Sequence, residues 1–275
     1  MVEMWERDMN KSLMSERYKV ILRELDMKTR VSVIDLALKL NVTPETIRKD
    51  LSALEKEKKL RRIHGGAVKY VGVSNEPDFN HKVSLAHHQK QLIGEAAASF
   101  IKDGETIALD VGSTTLQIAN SIKNVRNVSI VTNSLAAAVT LNNRLEANLF
   151  SGKVIVIGGT SNPRQRSISG SITNQLLEQF YFDKAFISCG GISRNGICDF
   201  DVEKAAASSI MIKKAKQVYV VADSSKFNQS AFFHMDRLSS IDVVISDQDM
   251  PIQWAKYANI GKLDWVKADE RMYVD

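Results

Sequence analysis

A chain of 275 residues, 44% apolar and 25% charged, has the profile of a globular protein with length enough for two domains and a core that needs no metal or disulfide staple. No run of about 18 apolar residues occurs, and Met1-Val2-Glu3-Met4-Trp5-Glu6-Arg7-Asp8 lacks the apolar stretch of a signal peptide, so a membrane span and secretion are not expected and a cytoplasmic location is. The net charge of +5 sits entirely in residues 1–70, with 16 Lys and Arg against 11 Asp and Glu, while residues 71–275 balance at 21 against 21; such asymmetry points the front of the chain at a polyanion.

Residues 1–14 read as an N-terminal extension and residues 15–70 as a first domain. A helix is predicted over about Ser15 to Met27, where Tyr18, Ile21, Leu22 and Leu25 recur at i, i+3, i+4 and i+7. A second is predicted over about Ser32 to Leu40, with Val33, Leu36, Ala37 and Leu40 on one face. Thr43 then suits an N-cap and Pro44 the first helical position, which starts a third helix running to about Lys58. A short helix, a tight turn and a capped helix make a helix-turn-helix pattern.

In the third helix Ile47, Leu51 and Leu54 fall within about 60° of one another at 100° per residue, so they face the core. The opposite face carries Glu45, Lys49, Ser52 and Lys56, flanked by Thr46, Arg48 and Ala53. Lys and Arg reach phosphates or guanine edges, and Thr and Ser serve either. Leu60 to Ile63 and Ala67 to Tyr70 are predicted to pair as strands around Gly65-Gly66, a wing whose Arg61, Arg62 and His64 face a duplex backbone or are merely solvated. The candidate DNA-binding residues are Thr43, Glu45, Thr46, Arg48, Lys49, Ser52, Arg61, Arg62 and His64.

Ser15-Glu16-Arg17, Val42-Thr43-Pro44-Glu45-Thr46-Ile47-Arg48-Lys49-Asp50-Leu51 and Arg61-Arg62-Ile63-His64-Gly65-Gly66-Ala67 together resemble the N-terminal domain of the DeoR family of bacterial sugar-catabolism regulators. The resemblance implies sequence-specific operator binding, usually as a repressor, with residues 44–57 as recognition helix.

Gly72, Ser74, Asn75 and Pro77 break the periodicity, and a linker is expected over 71–84. From 85 to 275 strands and helices alternate. Strands are predicted at Thr106 to Val111, Val128 to Asn133, Lys153 to Ile157, Ala185 to Ser188 and Gln217 to Ala222. Helices are predicted over about Thr115 to Ile122, Ser134 to Asn142, Ser171 to Phe180 and Glu203 to Lys214. Near-continuous apolar strands alternating with helices imply an α/β domain with a mostly parallel sheet covered on both faces.

Ligands of such sheets bind beyond the carboxyl ends of the strands. There the sequence places Gly112-Ser113-Thr114-Thr115, Thr132-Asn133, Gly158-Gly159, Gly190-Gly191 and Asp223-Ser224-Ser225-Lys226. Glycine lets a backbone approach closely, hydroxyls donate, a helix N-terminus favours an anion, and Lys226 supplies positive charge. A phosphate fits that chemistry. Each Gly-Gly taken alone is also an ordinary turn, and Asp110 either holds a ligand hydroxyl or caps the next helix. The candidate effector-binding residues are Asp110, Gly112, Ser113, Thr114, Thr115, Thr132, Asn133, Gly158, Gly159, Gly191, Glu203 and Lys226.

Asp110-Val111-Gly112-Ser113-Thr114-Thr115, Val131-Thr132-Asn133-Ser134, Ile157-Gly158-Gly159 and Asp223-Ser224-Ser225-Lys226-Phe227 are similar to the effector domain of DeoR regulators. The resemblance implies a fold like ribose-5-phosphate isomerase, a phosphorylated sugar or sugar alcohol as effector, and relief of repression on binding. By analogy the phosphate lies on residues 112–115 with Lys226 nearby.

The rival reading is an active sugar-phosphate isomerase with a DNA-binding appendage. Those isomerases keep Asp-Gly-Ala-Asp-Glu after the strand matching Ala185 to Ser188, where this chain has Cys189-Gly190-Gly191-Ile192-Ser193, and their lysine loop is altered around Asn195 to Asp201. Glu203-Lys204 keeps the place of their Glu-Lys pair, but proton transfer needs partner acids. A constitutive DNA binder is a third reading. No catalytic residue, cofactor or metal is expected. Cys189 and Cys198 match no zinc or redox spacing and read as inert thiols. A dimer or tetramer on double-stranded operator DNA is expected, because one wing-helix module offers few contacts.

Overall fold

The computed structural model describes residues 14, 16–25, 30–57, 59–63, 65–69, 76–255 and 263–269, apart from the side chains of Arg30, Arg61, Lys69 and Ala255. It divides into two compact units, Met1–Asn75 and Glu76–Asp275. The expected extension over 1–14 lies outside the described residues except for Met14, which is helical.

In the first unit a helix covers residues 16–25 (α1), followed by β1 (Arg30–Ser32), α2 (Val33–Leu40), α3 (Pro44–Lys56), β2 (Leu60–Ile63) and β3 (Gly66–Lys69). Ser32 caps α2 by accepting from the N–H groups of Ile34 and Asp35, and Asn41 closes it at φ 51°, a left-handed position that Asn tolerates. Thr43 caps α3 through the Thr46 N–H, with Pro44 in its first turn. Ile21, Leu25, Leu36, Ile47, Leu51, Leu54, Leu60 and Ala67 form one buried core.

The three strands pair antiparallel in the order β1-β3-β2, so the wing gains a strand that periodicity did not reveal. The Gly65-Gly66 pair has two separate causes. Gly65 lies at φ +77°, and a Cβ on Gly66 would stand 2.0 Å from the Val31 carbonyl oxygen.

The second unit opens earlier than expected. The part of the expected 71–84 linker that is described, residues 76–84, is folded and carries α4 (Phe79–Ser84), because Phe79 is only 1% exposed; residues 71–75 lie outside the described residues. Next come α5 (His87–Ser99), β4 (Thr106–Leu109), α6 (Ser113–Ser121), β5 (Val128–Thr132), α7 (Leu135–Glu146), β6 (Gly152–Val156), β7 (Thr160–Asn162), β8 (Ser167–Ser169), α8 (Ser171–Leu177) and β9 (Phe182–Ser188). They are followed by β10 (Gly191–Ser193), β11 (Gly196–Asp199), α9 (Val202–Lys214), β12 (Ala215–Val221), a 3₁₀ turn Ser224–Lys226, β13 (Phe233–Asp236), β14 (Val243–Ser246), α10 (Ile252–Ala255) and β15 (Asp264–Lys267).

The main sheet has seven strands in the order β15-β14-β12-β9-β4-β5-β6, and every pair is parallel. Successive side chains of a strand point to opposite faces. Ala108, Ala185, Ile187, Val218 and Val220 therefore pack with α8 and α9 residues such as Leu177, Ala205 and Met211. Ile107, Leu109, Phe186, Tyr219 and Val221 pack on the other side with α5, α6 and α7 through Ile93, Ala97, Ile118, Ala137 and Leu141. Both faces are buried, at about 1.5–3 kcal/mol for each large apolar side chain, and this fixes the ends of β4, β5, β6, β9 and β12 along one edge.

Candidate functional site

Two sites are built, one per unit. In the first, the α3 residues facing away from the core are those expected. Glu45, Arg48, Lys49 and Lys56 are exposed, and Thr46 and Ser52 half-buried. Arg48 Nη1 is 3.1 Å from Glu45 Oε2, an exposed pair of small energetic consequence. Among the described residues no carboxylate pairs with Lys49.

The wing meets this helix through specific bonds. Arg62 Nη1 donates to Ser52 Oγ at 2.7 Å, Ser52 Oγ donates to the Arg48 carbonyl at 2.7 Å, and the Arg62 N–H donates to Glu55 Oε1 at 2.7 Å. Ser52, expected as a DNA contact, thus has its hydroxyl engaged within the protein and holds Arg62 beside Arg48. A groove lined by Val33, Ile34, Arg48, Arg62, Ile63, Gly65 and Gly66 runs along this surface. Thr43 is exposed, its hydroxyl accepting from Thr46. The side chain of Arg61 and all of His64 lie outside the described residues. The sequence reading missed Asp50, which sits on the buried side of α3 at 4% exposure.

In the second unit the expected residues do converge on the carboxyl edge of the sheet, but their side chains divide. Several are committed to the protein. Asp110 is fully buried; its Oδ2 accepts the Ser188 N–H at 3.1 Å and its Oδ1 the Ser208 hydroxyl at 2.8 Å. Burial pushes its carboxyl up to about 6, against the charge of Lys204 and the bond from Ser208. Thr115 Oγ1 donates to the Asp110 and Gly112 carbonyls. Thr132 Oγ1 donates to the Leu109 carbonyl and accepts the Ser134 N–H. These three brace the edge and present no free polar atom. A Cβ on Gly112 would meet Ser188 Oγ at 2.4 Å, one on Gly159 (φ +151°) Thr173 Oγ1 at 2.1 Å, and one on Gly191 the Gln229 carbonyl at 2.3 Å. These glycines are required by packing, whereas a Cβ on Gly158 would meet open space.

Others remain available. α6 starts at Ser113 with no side-chain cap on its first N–H groups, and Ser113 and Thr114 are 7% and 5% exposed. Asn133 is fully buried; its Nδ2 donates to the Ile168 carbonyl, while its Oδ1 has no partner among the described residues. Lys226 is half-buried after β12, and among the described residues no carboxylate pairs with it. Glu203 is exposed, the second residue of α9 after the Asp201 cap.

The residue that carries charge into this edge is the neighbour of Glu203. Lys204 is 4% exposed, and its Nζ donates to Asp199 Oδ2 at 2.8 Å. Burial works against its charge, yet Asp199, Glu76 and Asp110 together hold its ammonium above the ordinary lysine range. The helical period contained the signal, since Lys204 lies on the same stripe of α9 as the buried Ser208 and Met211. Lys82 and Lys90 also reach this edge, and burial first, with neighbouring lysines second or later, pushes each down to about 8.

Known proteins agree with this division. Residues 17–70 match the DeoR-like helix-turn-helix domain and residues 85–248 the DeoR C terminal sensor domain. An HTH-type transcriptional regulator of Staphylococcus epidermidis is 42% identical over 212 residues, covering 77% of this chain and 83% of that protein. The glycerol-3-phosphate regulon repressor of Escherichia coli is 29% identical over 239 residues, 86% of this chain and 92% of that protein. Among solved structures, a D-ribose-5-phosphate isomerase in complex with phospho-erythronic acid aligns with a TM-score of 0.38 and 16% identity, over 51% of this chain and 54% of that one. With a winged helix-turn-helix in front of an α/β sensor domain, and both family matches in register with those units, this chain belongs to the DeoR family of transcriptional regulators.

Proposed function

We propose that this regulator represses a carbohydrate catabolic operon from the cytoplasm and leaves its operator when a phosphorylated sugar or sugar alcohol enters the sensor unit. The DNA half rests on Arg48, Lys49 and Arg62 sharing one exposed surface, with Ser52 fixing Arg62 against α3. Basic side chains on a helix and wing of this geometry neutralise phosphates and reach base edges.

The effector half is carried by one observation. At the carboxyl edge of a parallel sheet, the fully buried Asn133 Oδ1 finds no donor among the described residues, and buried polar atoms are normally satisfied. A ligand hydroxyl is a fitting donor. The uncapped N–H groups of α6 and Lys226, which has no carboxylate partner among the described residues, suit the phosphoryl group. Relatives named as repressors support the sign of regulation: besides the glycerol-3-phosphate regulon repressor, the HTH-type transcriptional repressor GlcR of Bacillus subtilis is 30% identical over 233 residues.

Sensing is favoured over isomerisation by the state of the carboxylates. Asp110 is enclosed by Ser188 and Ser208, Asp199 is bound to Lys204, and Glu203 points from an exposed position. None stands as a free base beside a polarising acid. The test is to mix the protein with a panel of phosphorylated sugars and sugar alcohols. Ligand-dependent thermal stabilisation and operator release without turnover support the sensor; turnover supports the isomerase; no response supports a constitutive binder. A dimer or tetramer reading repeated half-sites completes the proposal, and a monomer in gel filtration with and without operator DNA would remove it.

A further inference from the structure

Glu76 opens the sensor unit, at the end of the stretch that leads out of the wing. Its carboxylate meets the half-buried Lys82 ammonium and the buried Lys204 ammonium. It pairs with Lys82, and its Oε1 is 3.9 Å from Lys204 Nζ, with the Glu76, Lys82 and Lys204 side chains 12%, 12% and 5% exposed. Lys204 also keeps its own partner, Asp199. Among the described residues Lys82 has no ion pair except with Glu76.

The segment that begins with Glu76 is fastened across the carboxyl edge of the sheet. Gln165 Nε2 donates to the Pro77 carbonyl at 3.1 Å, Arg164 Nε donates to Asp78 Oδ1 at 2.6 Å, and the Phe79 N–H donates to the Arg164 carbonyl at 2.9 Å. Arg166 lies over the Phe79 ring at 5.7 Å. α4 packs on α6, whose uncapped first turn belongs to the proposed effector site. Lys90 Nζ donates to the carbonyls of Lys82 and Leu85, which ties the far end of α4 to α5. The first anion met at this edge is therefore one the protein itself provides.

We propose that the phosphoryl group seated on the first turn of α6 and Lys226 also draws on Lys82 and Lys204, in competition with the Glu76 carboxylate, so that effector entry detaches Glu76 and the residues 77–84 that follow it. This rests on the reading that the unit senses a phosphorylated compound. A phosphoryl dianion brings more charge to two ammonium groups than one carboxylate does, and at buried positions that difference is weakly screened. Burial costs Lys82 its charge unless an anion is beside it; exchanging one anion for another keeps the lysine satisfied. A ligand that binds the detached state better than the fastened one shifts the population between them.

The experiment uses the full-length protein, Glu76→Gln, and the double variant Glu76→Gln with Lys82→Gln. Inorganic phosphate, glycerol 3-phosphate and glucose 6-phosphate are titrated by calorimetry, and amide exchange over residues 79–85 is followed with and without each. In Glu76→Gln, exchange over 79–85 should rise without ligand and inorganic phosphate should bind about tenfold tighter than to the unmodified protein. That gain should vanish in the double variant. An unchanged phosphate affinity in Glu76→Gln, or a gain that survives loss of Lys82, overturns the competition. If neither organic phosphate binds the unmodified protein while the Lys82-dependent gain for inorganic phosphate is present, the competition stands and the phosphorylated-sugar reading falls. If an organic phosphate binds the unmodified protein and Glu76→Gln equally well, the sensing reading stands and the competition falls.

Discussion

Arg17 grips Asp50 with two bonds, Nε to Oδ2 at 2.8 Å and Nη2 to Oδ1 at 3.1 Å, so the first described helix is locked to the buried side of α3. The bond to Asp50, working against burial, raises the Arg17 pKa. Asp50→Asn removes the charge and one acceptor while leaving the guanidinium 22% exposed. A loss of about 2 kcal/mol is expected, the usual cost of a hydrogen bond to a charged group. Denaturant unfolding of the variant checks this; an unchanged midpoint would show that the pair contributes nothing.

Recognition should fall on Arg48 and Lys49. Each changed to Ala is expected to weaken operator binding by about 1–3 kcal/mol where a base edge is contacted, or more uniformly across sequences, with a shallower salt dependence, where a phosphate is. Ser52→Ala should weaken binding indirectly, by releasing Arg62. Fluorescence anisotropy on operator and scrambled duplexes at several salt concentrations separates these cases, and unchanged affinity in both Arg48→Ala and Lys49→Ala would move recognition elsewhere.

The sensor unit should lose stability as pH rises from 3.8 to about 6. Asp110 ordinarily titrates at 3.8 and is raised to about 6 in the fold by burial. The folded chain thus holds this proton more tightly than the unfolded chain. The stabilisation is full below the unfolded value and is lost as pH rises through the folded one. Asp110→Asn, which keeps an acceptor for the Ser188 N–H, should flatten the thermal stability profile across that window. A profile identical to that of the unmodified protein would assign the pH dependence to other groups.

Lys226→Ala and Thr114→Ala should bind operator normally yet fail to let go when effector is added, since neither belongs to the DNA-binding unit and both stand at the proposed phosphoryl site. Titrating the effector found in the panel into preformed protein–operator complex reads this directly; normal release from either variant would take that residue out of the site.

Both thiols should resist modification in the native protein. Burial pushes Cys189 far above the ordinary range and also raises Cys198, so little thiolate is present at neutral pH. Ellman's reagent should label neither promptly before unfolding and both after it; prompt native labelling would contradict this.

What sequence alone revealed follows the strength of each local signal. Ile47, Leu51 and Leu54 repeat at the helical period, and the strands around Phe186 and Val220 are unbroken apolar runs, so the helix-turn-helix and the parallel sheet were both legible. α5 was not, because its buried face is Lys90, Ile93, Gly94, Ala96 and Ala97, small or charged residues with little periodic contrast. A Cβ on Gly94 would meet Gln117 at 2.4 Å, a reason visible only in three dimensions. β14 and β15 are short and lie at one side of the sheet. At the carboxyl edge the glycine and hydroxyl clusters do follow the strands, but which polar atoms stay free depends on partners far along the chain. Ser188 and Ser208 enclose Asp110, and Glu76 meets Lys204; no spacing rule links such positions.

Seven strands running one way put all their carboxyl ends on one rim of the second unit. Among the described residues, the connections that follow these strands surface on that rim, beyond two apolar layers. Loops on that side can be exchanged singly without reopening the interior.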